Sequence, residues 1–316
     1  MTRTRTAATA ALAISSALVL AACGGGSSTD SGGSDLTGAV RVDGSSTVYP
    51  LTALAAEDFM AANPGVQVTV GSSGTGGGFE KFCRGETDAN DASRAIKEEE
   101  AANCAAAGID FAQLQVAVDA LTVVVNPENT WATCLTVEEL TKIWAPESTV
   151  TNWNEVRADF PDVPLELFGA GTDSGTFDYF TDAINGEEGA SRTDYTPTED
   201  DNITVQGVSG SQGGLGYFGF TYFEENTDKL TAVAIDSGAG CVAPSVENAQ
   251  NGTYTPLSRP LFVYVSKQAL AQPQVKAFFD FYVANDTTIA ADALFIPLND
   301  EQKAKLESDY AAISGS

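Results

Sequence analysis

Apolar residues along this chain switch from a period of two to a period near 3.6, and they do so at the same kind of junction three times. Val40 and Val42 alternate with polar neighbours, Gly44-Ser45-Ser46-Thr47 follows, and then Leu51, Leu54, Ala55 and Phe59 recur at helical spacing. Val66, Val68 and Val70 alternate, a glycine-rich stretch runs from Gly71 to Gly78, and Phe79, Phe82 and Cys83 lie on one helical face. The third copy has the apolar run "LELF" at 165–168, then "GAGTDSGT", then Phe177, Phe180 and Ile184. Each copy predicts a strand, a Gly/Ser/Thr loop and a helix.

Small hydroxyls ahead of a helix have two readings. Ser, Thr and Asp cap helices. The first amides of a helix also lack intrahelical partners and carry partial positive charge, so they can hold an anion. Glycine lets a ligand approach the backbone, and Ser or Thr adds a donor from a fixed position. One such loop is a cap; three in one chain point to an anion site. None matches G-x-x-x-x-G-K-[ST] or a clean G-x-G-x-x-G, so nucleotide binding is not indicated.

Alternating strands and helices predict α/β lobes with mainly parallel sheets, whose ligands sit beyond the carboxyl ends of the strands. The run "LQVAVDALTVVVN" (114–126) reads as a buried strand or pair of strands that crosses between lobes. "YTPLSRPLFVYVS" (254–266) reads as a second, extended crossover, with prolines at 256 and 260. Two crossovers make the first lobe discontinuous: 36–121 plus 260–316, with 122–259 as the second lobe. "QVKAFFDFYV" reads as the last helix, presenting Val275, Phe278, Phe279 and Tyr282 to the first lobe. Thr136 and Glu139 form a capping box ahead of Leu140, Ile143 and Trp144. The aromatics of "GYFGFTYF" read as core and interlobe packing. The first two loops then belong to the first lobe and the third to the second, so a ligand held by all three sits in the cleft.

Composition adds an address. Arg3 and Arg5, the apolar run from Ala7 to Leu20 and then "LAAC" make residues 1–22 a secretory leader. The cysteine after Leu-Ala-Ala resembles a bacterial lipobox, which implies cleavage before Cys23 and its lipidation, with anchoring on the outer face of the cytoplasmic membrane. Residues 23–35 are a Gly/Ser tether. Of five cysteines, setting Cys23 aside leaves Cys83, Cys104, Cys134 and Cys241. Three pairings are open in an oxidising compartment; Cys83–Cys104 with Cys134–Cys241 keeps each pair within one lobe and is preferred. A net charge of −27, more acidic still without the leader's arginines, excludes nucleic acid. There is no histidine, so Ser-His-Asp and Cys-His triads and His-ligated metals are excluded. We expect no enzyme, no cofactor and no metal; "TEDDN" (198–202) lacks calcium-loop spacing.

"VDGSSTVYPLT", "GSSGTGGGFEKF", "DANDASRAI", "GTDSGTFDYF" and "GGLGYFGFTYF" resemble, in order, the high-affinity phosphate-binding proteins of bacterial ABC transporters. The resemblance runs from Ala39 to the C-terminus. It implies a type II periplasmic-binding fold: two α/β lobes with central mixed sheets, a two-stranded hinge, and closure on inorganic phosphate that passes to a membrane permease. We expect a monomer. Carried over position by position, the phosphate ligands are Ser46 and Thr47 from the first loop, Ser73 with Thr75 and Gly76 from the second, and Ser174, Gly175 and Thr176 from the third. Two positions depart. Arg94 stands where many members carry an acceptor Asp, and Ala170 stands where they carry an Arg. Arg94 can fork two bonds onto an anion; a surface or interlobe ion pair is its other reading. Asp91 and Asp173 are candidate acceptors for a phosphate proton, Asp173 equally an N-cap, and Arg192 is a second candidate cation. Net acidity opposes anion encounter, but many short-range donors in a closed cleft outweigh screened surface repulsion. Receptors for sulfate or molybdate, a His-free phosphoesterase and a structural surface lipoprotein are the alternatives.

Overall fold

The computed structural model describes residues 36–315. The leader, Cys23 and the tether lie outside them. The chain opens with β1 (Gly38–Gly44), α1 (Tyr49–Ala62), β2 (Val66–Val70), α2 (Gly74–Cys83), β3 (Ala89–Ala92) and α3 (Glu98–Ala106). β4 (Phe111–Val125) then runs without a break through the whole apolar stretch, as a single strand rather than a pair. Beyond it come β5 (Cys134–Thr136), α4 (Val137–Trp144), α5 (Trp153–Val156), β6 (Glu166–Ala170), α6 (Gly175–Asn185), β7 (Thr196–Thr198), α7 (Asp201–Gly210), β8 (Gly214–Gly219) and α8 (Phe220–Glu224). Short strands β9 (Thr231–Ala232), β10 (Ala234–Asp236) and β11 (Cys241–Val242) precede α9 (Val246–Gln250). The return leg is β12 (Ser258–Ser266), α10 (Lys267–Leu270), α11 (Pro273–Ala284), α12 (Asp286–Asp292) and α13 (Asp300–Ser314).

The fold is two-lobed, and β4 joins the halves. Its residues from Phe111 to Ala120 pair antiparallel with β12. Leu121 to Val125 pair antiparallel with β8 instead. The strand order β2-β1-β3-β12-β4-β8-β6-β7 therefore reads through one lobe, across the hinge pair and into the other. Hydrophobic neighbours change at the same point. Leu114, Val116, Ala117, Val118 and Ala120 belong to a core with Val40, Leu51, Phe59 and Phe278, whereas Leu121, Val123 and Val125 join Leu140, Trp144, Phe180 and Tyr217.

Mixed pairing follows from this route. β1 is parallel to β2 and β3, and β6 is parallel to β7 and β8, as strand–helix–strand units dictate. The hinge strands add antiparallel neighbours to each half. β5, β10 and β11 form a small separate sheet. Disulfides join Cys83 to Cys104 and Cys134 to Cys241, the first tying α2 to α3 and the second β5 to β11.

Two details go beyond the sequence reading. Phe220 and Ala249, from the segment between the hinge strands, pack in the core of the first half, and the Gln250 side chain donates to the Pro297 carbonyl at 2.8 Å. The first core therefore takes in residues from the segment between the two hinge strands. "QVKAFFDFYV" is helical and buries the four residues expected, but it is not the last helix, since α12 and α13 follow. α13 buries only Leu306 and Tyr310, and its start is marked by an Asn299/Gln302 capping box rather than by an apolar stripe.

Candidate anion-binding site

Parallel neighbours place their following loops side by side. β1, β2 and β3 are adjacent and parallel, so 45–48, 71–73 and the 93–94 turn emerge at one edge. β12 runs antiparallel to β3, with Phe262 opposite Ala92, so its beginning, Arg259 included, reaches that same edge. A cavity of about 870 Å³ opens there. Its first wall is Ser45, Ser46 and Thr47, then Ser73 to Gly77, then Ser93 and Arg94. Its second wall comes from the other half: Asp178, Tyr179 and Asp182 of α6, with Glu188 just beyond.

A buried carboxylate, Asp43, organises the first wall. It accepts from the Gly44 amide at 2.7 Å, the Ser73 amide at 3.0 Å and the Ser73 hydroxyl at 2.7 Å, and it pairs with the Lys81 ammonium. Burial pushes the Asp43 carboxyl up, but Lys81 and then the Ser73 donors outweigh it and hold it below the usual carboxylate range. The first and second loops are thereby locked to each other. Gly71 is required here, since a Cβ would lie 2.8 Å from the Asp43 carboxyl. Asn90, fully buried beneath, closes on Gly78 and Gly44: a Cβ on Gly78 would meet its Oδ1 at 1.9 Å. Gly44 also has φ of +139°, a conformation natural only to glycine.

Ser46 is exposed and Thr47 half-buried on the cavity wall. Ser45, which the sequence did not single out, accepts from the Thr47 amide at 3.2 Å and shapes the turn. Thr75 exchanges a 3.1 Å hydrogen bond with Ser93, tying the second loop to the end of β3. Gly76 lies beside Arg94, whose Nη2 would stand 3.8 Å from a Cβ there. Ser174 caps α6 by accepting from the Thr176 amide at 3.1 Å; Ser174, Gly175 and Thr176 are half-buried and, like the exposed Asp173 before them, do not line the cavity. The third loop nonetheless meets the first, because a Cβ on Gly175 would sit 3.2 Å from Thr47 Oγ1.

Asp91 lies under the first loop rather than in the cavity. Its carbonyl accepts from the Ser45 amide at 2.9 Å, and its carboxyl takes the Thr52 hydroxyl at 2.8 Å. Burial, eased by that hydroxyl and aggravated by Asp43, pushes the Asp91 carboxyl up to about 8. Arg192 is turned into the second half, on Asp194 and the carbonyls of Ile143 and Val150, and is not a cleft cation.

Two guanidiniums line the cavity. Arg94 forks onto Glu100 with two bonds of 2.8 Å. Arg259, absent from the sequence reading, lies across the hinge from Asp119, donates to Thr47 Oγ1 at 3.0 Å and stacks 3.5 Å over the Tyr179 ring. The clue to it was present: Arg259 and Asp119 are lone charges, each interrupting an apolar strand. The second wall is acidic. Burial, and after it the Glu188 carboxylate, pushes the Asp178 carboxyl up to about 6, against the pull of Arg259. Among the described residues no group of acidic or sulfur ligands is placed to hold a metal, and no helix is long and apolar enough to span a membrane. The arrangement offers glycine-flanked amides, hydroxyls and a guanidinium on one cavity, the chemistry that binds a small oxyanion.

Comparison with known proteins agrees with this geometry. The PBP superfamily domain matches residues 26–286. Protein SphX of Synechococcus elongatus is 50% identical over 262 residues, covering 82% of this chain and 77% of its own. The phosphate-binding protein PstS of Staphylococcus saprophyticus is 36% identical over 301 residues, covering 93% of this chain and 92% of its own. A crystal structure described as a possible phosphate binding protein from Planctomyces limnophilus superposes with a TM-score of 0.85 at 49% identity, covering 88% of this chain and 99% of that one. The chain belongs to the PBP superfamily and, within it, to the family of PstS-type phosphate-binding proteins.

Proposed function

We propose that this protein is an extracytoplasmic receptor that captures inorganic phosphate between its two lobes and delivers it to an ABC-type permease, held to the outer face of the membrane by lipidated Cys23. The observation that carries the reading is a hinge cavity lined on one side by the junctions 45–47 and 73–77 and on the other by Asp178, Tyr179 and Asp182 of α6, whose first residue, Gly175, lies against Thr47. The phosphate binders named among the relatives support the choice of anion, and the leader and lipobox support the address. In this reading Ser46, Thr47, Thr75, Gly76 and the Ser174–Thr176 start of α6 donate to the phosphate oxygens, while Ser73, whose amide and hydroxyl are both given to Asp43, shapes the second loop. Lobe I spans 36–121 plus 260–316 and lobe II 122–259; the receptor works as a monomer without cofactor or catalysis.

Titration calorimetry on the purified protein with phosphate, arsenate, sulfate and molybdate tests this. Phosphate should bind at micromolar concentration or below, about 8 kcal/mol or more. Heat with sulfate or molybdate and none with phosphate would make it a receptor for another oxyanion. Turnover of a chromogenic phosphate ester would make it an enzyme. No anion-dependent rise in melting temperature would leave only a structural role.

A further inference from the structure

We propose that Arg259, rather than Arg94, is the cation that binds the anion in the cleft. The inference rests on the oxyanion reading above and assigns its charge. Both guanidiniums line the cavity; they differ in what remains of their donor capacity. Arg94 aims both terminal nitrogens at Glu100, Nη1 to Oε2 and Nη2 to Oε1, each at 2.8 Å, and Nη1 also reaches the Ala95 carbonyl at 3.2 Å. Glu100 is fixed in turn by the Lys97 amide at 2.8 Å. This forked, charge-assisted pair is a strong one, and an anion would have to break it to reach Arg94.

Arg259 meets its own carboxylate, Asp119, at one oxygen, Oδ2, with Nε and Nη2 each 3.1 Å away and Nη1 turned elsewhere. Nη2 gives one donor to Thr47. A guanidinium carries five N–H donors, so the rest stay available, and among the described residues Nη1 has no partner. Stacking on Tyr179 fixes the plane of the fork. The guanidinium also stands where the elements meet. Thr47 belongs to the first loop, Tyr179 to α6, and Asp119 is the direct cross-strand partner of Arg259 in the hinge pair. A guest on this fork touches the first lobe, the second lobe and the hinge together.

The test compares phosphate affinity, by calorimetry on the full chain, for Arg94→Gln and for Arg259 variants. Removing Arg259 alone strands Asp119 in a buried site, so the deciding variant is Arg259→Gln with Asp119→Asn. Thermal unfolding without phosphate reports its folding separately. The double variant should lose roughly 10- to 100-fold in affinity, the worth of a charged hydrogen-bonding partner, while Arg94→Gln changes it by less than about 5-fold. Arg259→Lys should recover part of the loss, keeping charge but not the fork. A double variant that binds like the parent, or a loss of roughly 10-fold or more in Arg94→Gln, overturns the assignment. Should the double variant fail to fold, Arg94→Gln decides alone. A parent protein that binds no oxyanion overturns the oxyanion reading and this assignment with it.

Discussion

The two walls of the cleft are built from the same strand–loop–helix unit and carry opposite chemistry. On the first wall the carboxylates turn inward. Asp43 clamps Ser73, Gly44 and Lys81, and Asp91 sits under the loop on Thr52, so what faces the cavity is amide, hydroxyl and glycine. On the second wall the carboxylates of Asp178, Asp182 and Glu188 face the cavity themselves. The same residue type organises a donor surface in one half and presents an acceptor surface in the other. A protonated oxyanion has both needs, and the two walls divide them.

That contrast can be broken first at the glycines. Gly78→Ala should be the most damaging change, because its Cβ would overlap the buried Asn90 carboxamide and the Gly44 Cα; a loss of about 3 kcal/mol in urea unfolding is expected. Its counterpart at the start of α6, Gly175→Ala, brings its Cβ only to 3.2 Å from Thr47 Oγ1. It should leave stability nearly unchanged and weaken anion binding instead. Equal stability losses for the two would erase the distinction.

Asp43→Asn comes next. It keeps the shape of the clamp but removes the charge facing Lys81, and about 2 kcal/mol of stability should go with it. Because Asp43 titrates below the usual range, that contribution is present above the ordinary carboxylate pKa and fades as acid protonates the folded group. The parent should lose this advantage over the variant below about pH 4.

Asp91 has the opposite sign. Its carboxyl holds a proton in the folded state up to about 8, against an ordinary 3.8, so the unfolded chain releases that proton first. Stability of the parent should fall as pH rises through that interval, and Asp91→Asn should flatten the slope in unfolding melts taken from pH 4 to 9. An unchanged slope would mean that Asp91 is already ionised in the folded protein.

The smallest effect is expected on the second wall. Asp178 is raised to about 6 by burial and by Glu188, but it remains partly open to solvent. Asp178→Asn should raise stability at pH 7.5 by less than about 1 kcal/mol and leave it unaltered below pH 4, where both forms are neutral. A larger gain would mean that the acidic wall is more strained than its exposure implies.

The junctions were legible because a change of period from two to 3.6 is written into the apolar residues themselves, from Val40 to Phe59, Val66 to Phe82 and Leu165 to Ile184. Parallel order then placed the first two loops together, whereas the third follows β6 in the other half of the sheet. α13 escaped because only Leu306 and Tyr310 of its fifteen residues are buried. Asp178 escaped because the first turn of a helix accepts an acidic residue for electrostatic reasons alone, and only packing reveals that it faces a cleft. Arg259 was hidden by its prolines, which marked the segment as a crossover; its pairing with Asp119 depends on a strand register that two distant apolar runs do not declare. Asp91 and Asp173 were near the loops in sequence, but one is beneath them and the other outside.

The most direct measurement is diffraction from crystals of the protein grown with phosphate. The anion should appear in the hinge cavity, bonded by amides and hydroxyls from 46–47, 75–76 and 174–176 at once, with α6 drawn toward the first loop. Phosphate density on a single loop, or elsewhere on the surface with the three junctions left apart, would contradict the shared grip on which the receptor reading depends.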